Sequence, residues 1–244
     1  MHSPSRPPRT AYLLIIGDEI LSGEVLDENA GFLARALTEL GMRVVGMRVV
    51  PDTLEGIVSA VQSARAAADI VIATGGIGPT HDDVTRQAIA ESLGVPCERH
   101  QEAEARLRRG YGHEITDSEL EMADLPRGSR LLTGQRTGAY GFAVGEVHVF
   151  PGIPGLLRDI FTAVAADWEP QGYFRREFLT MRREGHIAPG LRAIQSAHPA
   201  VAIGSYPIRT DDGYRVRIVL RAREPGALEE TSRAVEALLA AIGS

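Results

Sequence analysis

One stretch decides the fold: Ile70-Val71-Ile72-Ala73-Thr74-Gly75-Gly76-Ile77-Gly78-Pro79-Thr80-His81-Asp82-Asp83. It begins with an apolar, β-branched run of strand length, continues as a glycine-rich loop, and ends on paired aspartates where a helical pattern begins. A strand, a glycine loop and a helix in this order are typical of open α/β sheets. Such sheets bind ligands at the carboxyl ends of their strands.

The sequence around this stretch alternates short apolar runs with helix-length segments. This alternation predicts a three-layer α/β/α domain over residues 11–170, with a mixed, mostly parallel sheet. A hairpin at Gly145-Glu146 makes the sheet mixed. The predicted strands are 11–16, 43–50, 69–73, 129–132, 141–144 and 147–150, and the predicted helices are 29–40, 54–67, 84–93 and 99–109.

The remaining segments have weaker patterns. Residues 1–10 are basic and proline-rich without the apolar stretch of a secretion signal, so we expect a disordered leader. Residues 110–128 predict a surface loop with one helical turn. Residues 171–244 predict a small α+β subdomain, with strands 174–181, 201–206 and 214–221 and helices 187–197 and 226–242.

Composition excludes several classes of function. The net charge is −6 and the arginines are scattered, which argues against a nucleic-acid partner. No apolar run approaches the roughly 20 residues of a membrane helix. A single cysteine, Cys97, excludes an internal disulfide and fits a reducing cytoplasm, the expected location. The expected partner is a small phosphorylated nucleotide or pterin.

The glycine loop has the chemistry of an anion site. Gly75, Gly76 and Gly78 let backbone amides approach a ligand, and Thr80 adds a hydroxyl donor. The loop is not a Walker loop, because no lysine follows the last glycine, and it lacks the G-x-G-x-x-G spacing. The alternative is a tight strand-to-helix turn in which Asp82 or Asp83 merely caps the helix.

The second aspartate argues against a simple cap, which requires one carboxylate. Two carboxylates beside a phosphate repel it unless a cation lies between them. Mg²⁺ is held in this way, by one or two carboxylates and substrate phosphate oxygens. Asp82 and Asp83 therefore suggest metal-assisted chemistry at a phosphate or pyrophosphate.

Further polar residues follow other predicted strands. Gly17-Asp18-Glu19-Ile20-Leu21-Ser22-Gly23 follows the first, Pro51-Asp52 follows the second, and Pro151-Gly152-Ile153-Pro154 begins a helix. Because the ends of parallel strands meet at one edge of a sheet, these groups are expected to line one crevice. As pure structure, the last segment is a proline-led helix start.

The chain resembles the CinA-type branch of the molybdopterin-binding (MoaB/Mog) superfamily in three ordered segments, 17–23, 74–85 and 150–154. Gly204-Ser205-Tyr206-Pro207 extends the resemblance into the second region. The N-terminal domain of eukaryotic FAD synthases is similar. The resemblance implies the three-layer fold, a homodimer or homotrimer, and divalent-metal-dependent hydrolysis of dinucleotide pyrophosphates. It also implies that Asp52 and Asp83 match the two aspartates tied to molybdopterin chemistry.

Two departures from the Mog pattern favour hydrolysis. Ile77 stands where that pattern has threonine, and Asp82 stands where it has a basic residue, so the loop has gained a carboxylate and lost a positive charge. The hypothesis is therefore a metal-dependent pyrophosphatase acting on a nucleotide-diphosphate compound such as ADP-ribose or FAD. Alternatives are molybdopterin binding or adenylylation in molybdenum-cofactor biosynthesis, and a non-catalytic regulatory module.

The predicted site has three groups of residues. The catalytic set is Asp83, Asp82 and Asp52, and the metal ligands are Asp82, Asp83 and Glu19. The expected cation is Mg²⁺, Mn²⁺ or Co²⁺, with K⁺ and molybdopterin left open as further cofactors. The ligand-binding set is Gly17, Asp18, Glu19, Ser22, Gly23, Thr74, Gly75, Gly76, Gly78, Pro79, Thr80, Gly152 and Pro154.

Overall fold

The computed structural model describes residues 9–168, 172, 174–210 and 213–242. The chain forms two compact units, one within residues 1–169 and one within 170–244. Most of the predicted leader lies outside the described residues. Thr10, however, begins the first strand, and its backbone N–H and hydroxyl both donate to Asp69 Oδ2 at 2.7 Å.

The first unit alternates strands and helices as the sequence predicts, with additional short elements. In chain order they are β1 Thr10–Ile16, α1 Asp18–Leu21, α2 Asn29–Glu39, β2 Arg43–Val50, α3 Leu54–Ala67, β3 Ile70–Thr74, α4 Thr85–Leu93, β4 Cys97–Arg99, α5 Gln101–Tyr111, a 3-10 turn Gly112–Glu114, α6 Asp117–Glu121, β5 Asp124–Pro126, β6 Arg130–Thr133, β7 Tyr140–Val144, β8 Val147–Phe150 and α7 Pro154–Ala165.

The main sheet is mixed and mostly parallel, which confirms the prediction. Its strand order is β2-β1-β3-β8-β7-β6. The pairs β1–β2, β1–β3 and β3–β8 are parallel, whereas β7 pairs antiparallel with both β8 and β6. The four parallel strands therefore end at the same edge of the sheet.

Alternate residues of the central strands enter two separate cores, so helices cover both faces. Leu14 and Val71 pack with α3 and α4 on one face, while Leu13 and Ile72 pack with α2 and α7 on the other. All four side chains are completely buried. This double burial explains why β3 is apolar from Ile70 to Ala73, and it confirms the predicted three layers.

Residues 110–128 differ from the predicted loop. Helix α5 extends to Tyr111, and α6 begins with a capping box in which Thr116 and Glu119 satisfy each other's backbone N–H groups. Strand β5 pairs antiparallel with β4 through three residues of each. Elements this short carry too few residues to show a hydrophobic period.

The second unit is α+β, as predicted. Its elements are β9 Phe174–Thr180, α8 Glu184–Ala197, β10 Val201–Thr210, β11 Gly213–Ala222 and α9 Pro225–Ala241, and its antiparallel sheet has the order β10-β11-β9. Strand β10 continues beyond the predicted end through Pro207 because an edge strand tolerates a residue without an N–H. No helix in the described parts of the chain is long and apolar enough to cross a membrane.

His148 in β8 is a buried histidine that should make the fold sensitive to acid. The residue is 6% exposed, and its burial is the main reason that its pKa is lowered to about 4. The positive charge of Arg130 also lowers the pKa, whereas a hydrogen bond with the Glu146 backbone raises it. An unfolded histidine titrates near 6.5. The unfolded chain therefore binds the proton first, and this contribution to stability, present above pH 6.5, is lost as the pH falls toward 4.

We predict that His148→Gln loses about 2 kcal/mol less stability than the parent between pH 7 and pH 4.5, because the variant has no imidazole to protonate. Urea denaturation at the two pH values measures the difference. His113→Gln, at an exposed position in the 3-10 turn, is the control and should follow the parent. If His148→Gln lost as much stability as the parent between the two pH values, His148 would not be the source of the acid sensitivity.

Candidate functional site

A cavity of about 710 Å³ lies at the carboxyl ends of the parallel strands in the first unit. Ile16 ends β1, Asp52 follows β2, Gly75 follows β3 and Gly152 follows β8, and all four line it. The strand ends thus converge as predicted. The predicted site residues that line the cavity are Glu19, Asp52, Gly75, Gly76, Gly78, Pro79, Asp82, Asp83, Gly152 and Pro154.

The glycine loop is held in a conformation that only glycine adopts easily. Gly75 and Gly76 have φ values of 105° and 66°. A Cβ on Gly75 would lie 2.0 Å from the carbonyl oxygen of Ile16. The Gly75 N–H donates to Phe150 O at 3.1 Å, and the Thr85 hydroxyl donates to Gly75 O at 2.9 Å. The loop is therefore fixed against β1, β8 and α4.

Beyond Gly75, the loop presents free donors. Among the described residues, no acceptor lies within hydrogen-bond distance of the N–H groups of Gly76, Ile77 and Gly78. Successive unpaired N–H groups in a glycine-rich turn form an anion-binding concavity.

The paired aspartates are not helix caps. Helix α4 begins at Thr85, and its N-cap residue Val84 makes no side-chain cap. Asp83 instead accepts hydrogen bonds from the Thr80 N–H at 2.9 Å and the Thr80 hydroxyl at 2.5 Å. The Thr80 hydroxyl also lowers the pKa of exposed Asp82. The alternative of a turn with a simple aspartate cap is therefore wrong.

Asp52 lies among other carboxylates. Its Oδ2 accepts the Asp18 N–H at 2.8 Å, and its Oδ1 lies 3.2 Å from the place of a Cβ on Gly76. Partial burial raises the pKa of Asp52, and the negative charges of Glu19, Asp18 and Asp82 raise it further. The fold thus concentrates negative charge beside an anion-binding loop, an arrangement that favours a bound cation.

The residues present fit a divalent ion that takes only part of its coordination from the protein. No group of three or more histidine, cysteine or acidic side chains in the described residues could hold a metal alone. Mg²⁺ commonly uses one or two carboxylates and completes its shell with water and substrate phosphate. Asp82, Asp83 and Glu19 all line the cavity and could supply those carboxylates.

The other predicted ligand residues support the cavity from outside its lining. Thr74 is 1% exposed, and its hydroxyl donates to Pro151 O at 2.9 Å. The Gly17 N–H donates to Val50 O, and the Ser22 hydroxyl to Glu19 O. Gly23 lies in the turn after α1 and has a positive φ of 78°. These contacts fix the segments that present Asp18 and Glu19.

Asn29 has a different role from the helix cap that its position suggests. It is the first residue of α2, and Asp27 Oδ1 accepts the N–H groups of both Asn29 and Ala30. The buried Asn29 amide donates to Gly152 O at 2.6 Å. It thereby joins α2 to the turn that lines the cavity after β8.

Sequence reasoning missed Arg86, which is 4% exposed in α4. Its Nη1 donates to Ile77 O at 2.5 Å and Gly78 O at 2.9 Å, so it braces the glycine loop. Its buried Nε has no partner, which costs about 1–3 kcal/mol for such a group. Burial also lowers the pKa of Arg86. An arginine in the first turn of a helix gives no sequence signal of burial.

Comparison with known proteins agrees with this fold. Residues 12–169 match the family described as "Probable molybdopterin binding domain", and residues 172–243 match "FAD synthase, middle domain". The first match spans more than half of the chain, with the glycine loop and all the site carboxylates inside it. The chain belongs to the molybdopterin-binding domain family.

Within that family, the relatives point to the CinA-type branch. A CinA-like protein of Frankia casuarinae is 33% identical across 93% of this chain, which spans 57% of that protein's length. A protein of Pyrobaculum calidifontis is 34% identical across 94% of this chain and 93% of its own. The crystal structure of CinA from Thermoplasma acidophilum matches with a TM-score of 0.62 and 32% identity, over 66% of this chain and 98% of that one.

We predict that Gly75→Ala destabilises the protein by at least about 2 kcal/mol, since the new methyl group meets backbone rather than a movable side chain. Thermal or urea unfolding measures the loss. Gly155→Ala is the matched control, because a Cβ at that position in α7 meets nothing within 4 Å. Equal stability of the two variants would show that the loop can move away from Ile16.

Proposed function

We propose that this chain is a divalent-metal-dependent pyrophosphatase acting on a nucleotide-diphosphate compound such as ADP-ribose or FAD. The observation that carries the proposal is the set of carboxylates around Asp52, beside unpaired N–H groups of a glycine loop in one cavity. Carboxylates repel a phosphate that binds without a metal. They are needed, however, where a cation has to be held beside the phosphate.

The roles of the residues follow from their positions. The N–H groups of Gly76, Ile77 and Gly78 would bind phosphate oxygens. Thr80 holds the Asp83 carboxylate, so that Asp83 keeps its position relative to the loop. One or two of the carboxylates of Glu19, Asp82 and Asp83 would hold the metal together with substrate phosphate oxygens and water, and the metal would neutralise phosphate charge and polarise the phosphorus–oxygen bonds. Asp52 would orient the attacking water through its Oδ1.

Hydrolysis would add a water oxygen to one phosphorus of the diphosphate and break the bridging bond on that phosphorus. The oxygen of the leaving phosphate keeps the bonding electrons, and the protons of water end on the two product phosphates. ADP-ribose would give AMP and ribose 5-phosphate, and FAD would give AMP and FMN. Electrostatic stabilisation and alignment would supply most of the rate enhancement.

The direct test is AMP release, measured by chromatography, from ADP-ribose and from FAD with Mg²⁺, Mn²⁺ or Co²⁺ and with a chelator. We expect release only with metal, and a fall of about 100-fold or more in kcat for Asp83→Asn, because the amide is a weaker ligand for a hard cation. Glu91→Gln, on the exposed side of α4, should retain full activity. Absence of AMP under every metal condition would reject the proposal.

Asp52→Asn tests the electrostatic argument separately. The variant keeps an oxygen that can accept the Asp18 N–H but removes one of the mutually repelling charges. In metal-free protein we expect the midpoint of thermal unfolding to rise by about 1–4 °C while activity with metal falls. A fall in the midpoint, compared with Glu91→Gln, would show that the Asp52 charge stabilises the fold.

A second candidate function is molybdopterin binding or adenylylation, which the description of the matching family favours. Fluorescence of co-purified pterin, or calorimetric binding of molybdopterin in the absence of divalent metal, would support it. If Asp83→Asn changed neither ligand affinity nor any assayed activity, a non-catalytic regulatory role would be the better description.

A further inference from the structure

The loop that joins β6 to β7 is held by a carboxylate from another element. We call it the hairpin loop, and it is residues 134–139, Gly134-Gln135-Arg136-Thr137-Gly138-Ala139. Asp159 Oδ2 accepts the N–H groups of Arg136 at 3.1 Å and Thr137 at 3.2 Å, and Asp159 Oδ1 accepts the Gln135 N–H at 3.3 Å. The Thr137 hydroxyl and Arg136 Nε also donate to this carboxylate. Three successive backbone donors thus converge on one side chain.

The Asp159 carboxylate has a fixed position. It is 6% exposed in α7, and its neighbours Leu157, Ile160 and Phe161 belong to the apolar core. A buried carboxylate is costly unless hydrogen bonds compensate it, and the hairpin loop supplies five. The approach is so close that a Cβ on Gly134 would lie 2.0 Å from Asp159 Oδ2. The helix and the loop therefore fit each other closely.

The hairpin loop has no comparable anchor of its own. Apart from the pairing of β6 with β7, and within the described parts of the chain, Asp159 is the only hydrogen-bond partner of residues 134–139. Gly138 and Ala139 have no side chain long enough to hold them, and both line the cavity. Asp159 does not line it. Its effect on the cavity therefore passes through the loop.

Helix α7 contributes to the cavity in two ways. Pro154 and Leu156, in the first turn of the helix, line the cavity directly. Asp159 lies about one turn further along the same helix and holds the part of the wall formed by Gly138 and Ala139. One helix thus positions two parts of the wall, and the Asp159 hydrogen bonds determine where the second part lies.

We propose that Asp159 is a positioning residue, which fixes the wall at Gly138 and Ala139 and thereby raises the affinity of the cavity for its ligand without touching it. The inference rests on the proposed function, since the ligand is the nucleotide-diphosphate compound named there. A loop that is already ordered loses less conformational entropy when a ligand binds against it. Removal of the carboxylate should therefore weaken binding rather than slow the bond-breaking step.

Asp159→Asn tests the proposal, because the amide keeps the size of the side chain but replaces one acceptor oxygen with an NH₂ group. For AMP release from ADP-ribose with Mn²⁺, we expect KM to rise about tenfold while kcat changes less than about twofold. Calorimetry of ADP-ribose with Mg²⁺ should show the same loss of affinity. Hydrogen exchange at the Gln135, Arg136 and Thr137 amides should become at least about tenfold faster, with exchange in α7 unchanged.

Ile160→Val is the matched control. It removes one carbon atom from a completely buried side chain on the same helix, so it should lower the midpoint of thermal unfolding. It leaves the Asp159 hydrogen bonds in place, and KM and the exchange of the three loop amides should match those of the parent. A rise in KM equal to that of Asp159→Asn would show that any weakening of α7 has this effect, and would overturn the proposal.

Thr137→Val is a milder variant that serves if Asp159→Asn does not fold. It removes the hydroxyl donor to Asp159 and keeps the backbone N–H groups. We expect KM for ADP-ribose to rise about threefold, with kcat unchanged, because one of the five hydrogen bonds is lost. An unchanged KM in this variant would overturn the proposal.

The proposal is also overturned if Asp159→Asn leaves the loop amides protected, or if they exchange faster while the affinity for ADP-ribose does not change. Failure of the proposed function is a different result, in which ADP-ribose binds and Asp159→Asn weakens its binding, but no metal supports AMP release. AMP release with an unchanged KM in Asp159→Asn would reject the positioning role alone. A parent protein that binds neither ADP-ribose nor FAD would overturn both proposals.

Discussion

The site depends on the close approach of Gly75 to β1. Its N–H bonds to Phe150 at the end of β8, and its α-carbon lies against the carbonyl oxygen of Ile16, where a methyl group has no room. This contact ties the ends of three parallel strands together and fixes the direction in which the loop leaves the sheet. Three further features follow Gly75 in the sequence and depend on the path of the loop: the unpaired N–H groups, the Thr80–Asp83 hydrogen bonds, and the hydrogen bonds from Arg86 to the loop carbonyls.

A second constraint is electrostatic, because the carboxylates near the loop repel one another in the folded protein. The fold places Asp18, Glu19, Asp52 and Asp82 close enough to raise the pKa of Asp52, in addition to the effect of its burial. Folded proteins usually separate like charges, and their concentration in a cavity is characteristic of functional sites. The contacts of Gly75 fix the ends of β1, β3 and β8, and the segments that carry Asp18, Glu19 and Asp82 continue from the first two of these strands.

Much of this could be predicted from sequence because the signals were long or chemically unusual. The apolar β3 strand, the three glycines after it and the doubled Asp82-Asp83 each limit the backbone to few arrangements. Strands β4 and β5 were missed, and α6 was expected only as one helical turn, because each has only three to five residues. The burial of Arg86 was missed for another reason. It donates to backbone carbonyls, which every residue has, so no particular residue type in the sequence indicates the contact.

The cavity has two chemical characters because two different parts of the first unit line it. The strand ends contribute backbone donors and carboxylates, as expected of an open α/β sheet. The segment from α5 to β5 contributes apolar and aromatic side chains instead, and Tyr140 connects it to the main sheet through the Met122 carbonyl. Arg86 lies where these parts meet, with Nη1 on the glycine loop and Nε unpaired. The two parts of the cavity are therefore linked through one buried side chain, which braces the glycine loop and lies close enough to Tyr140 for the two groups to affect each other's pKa.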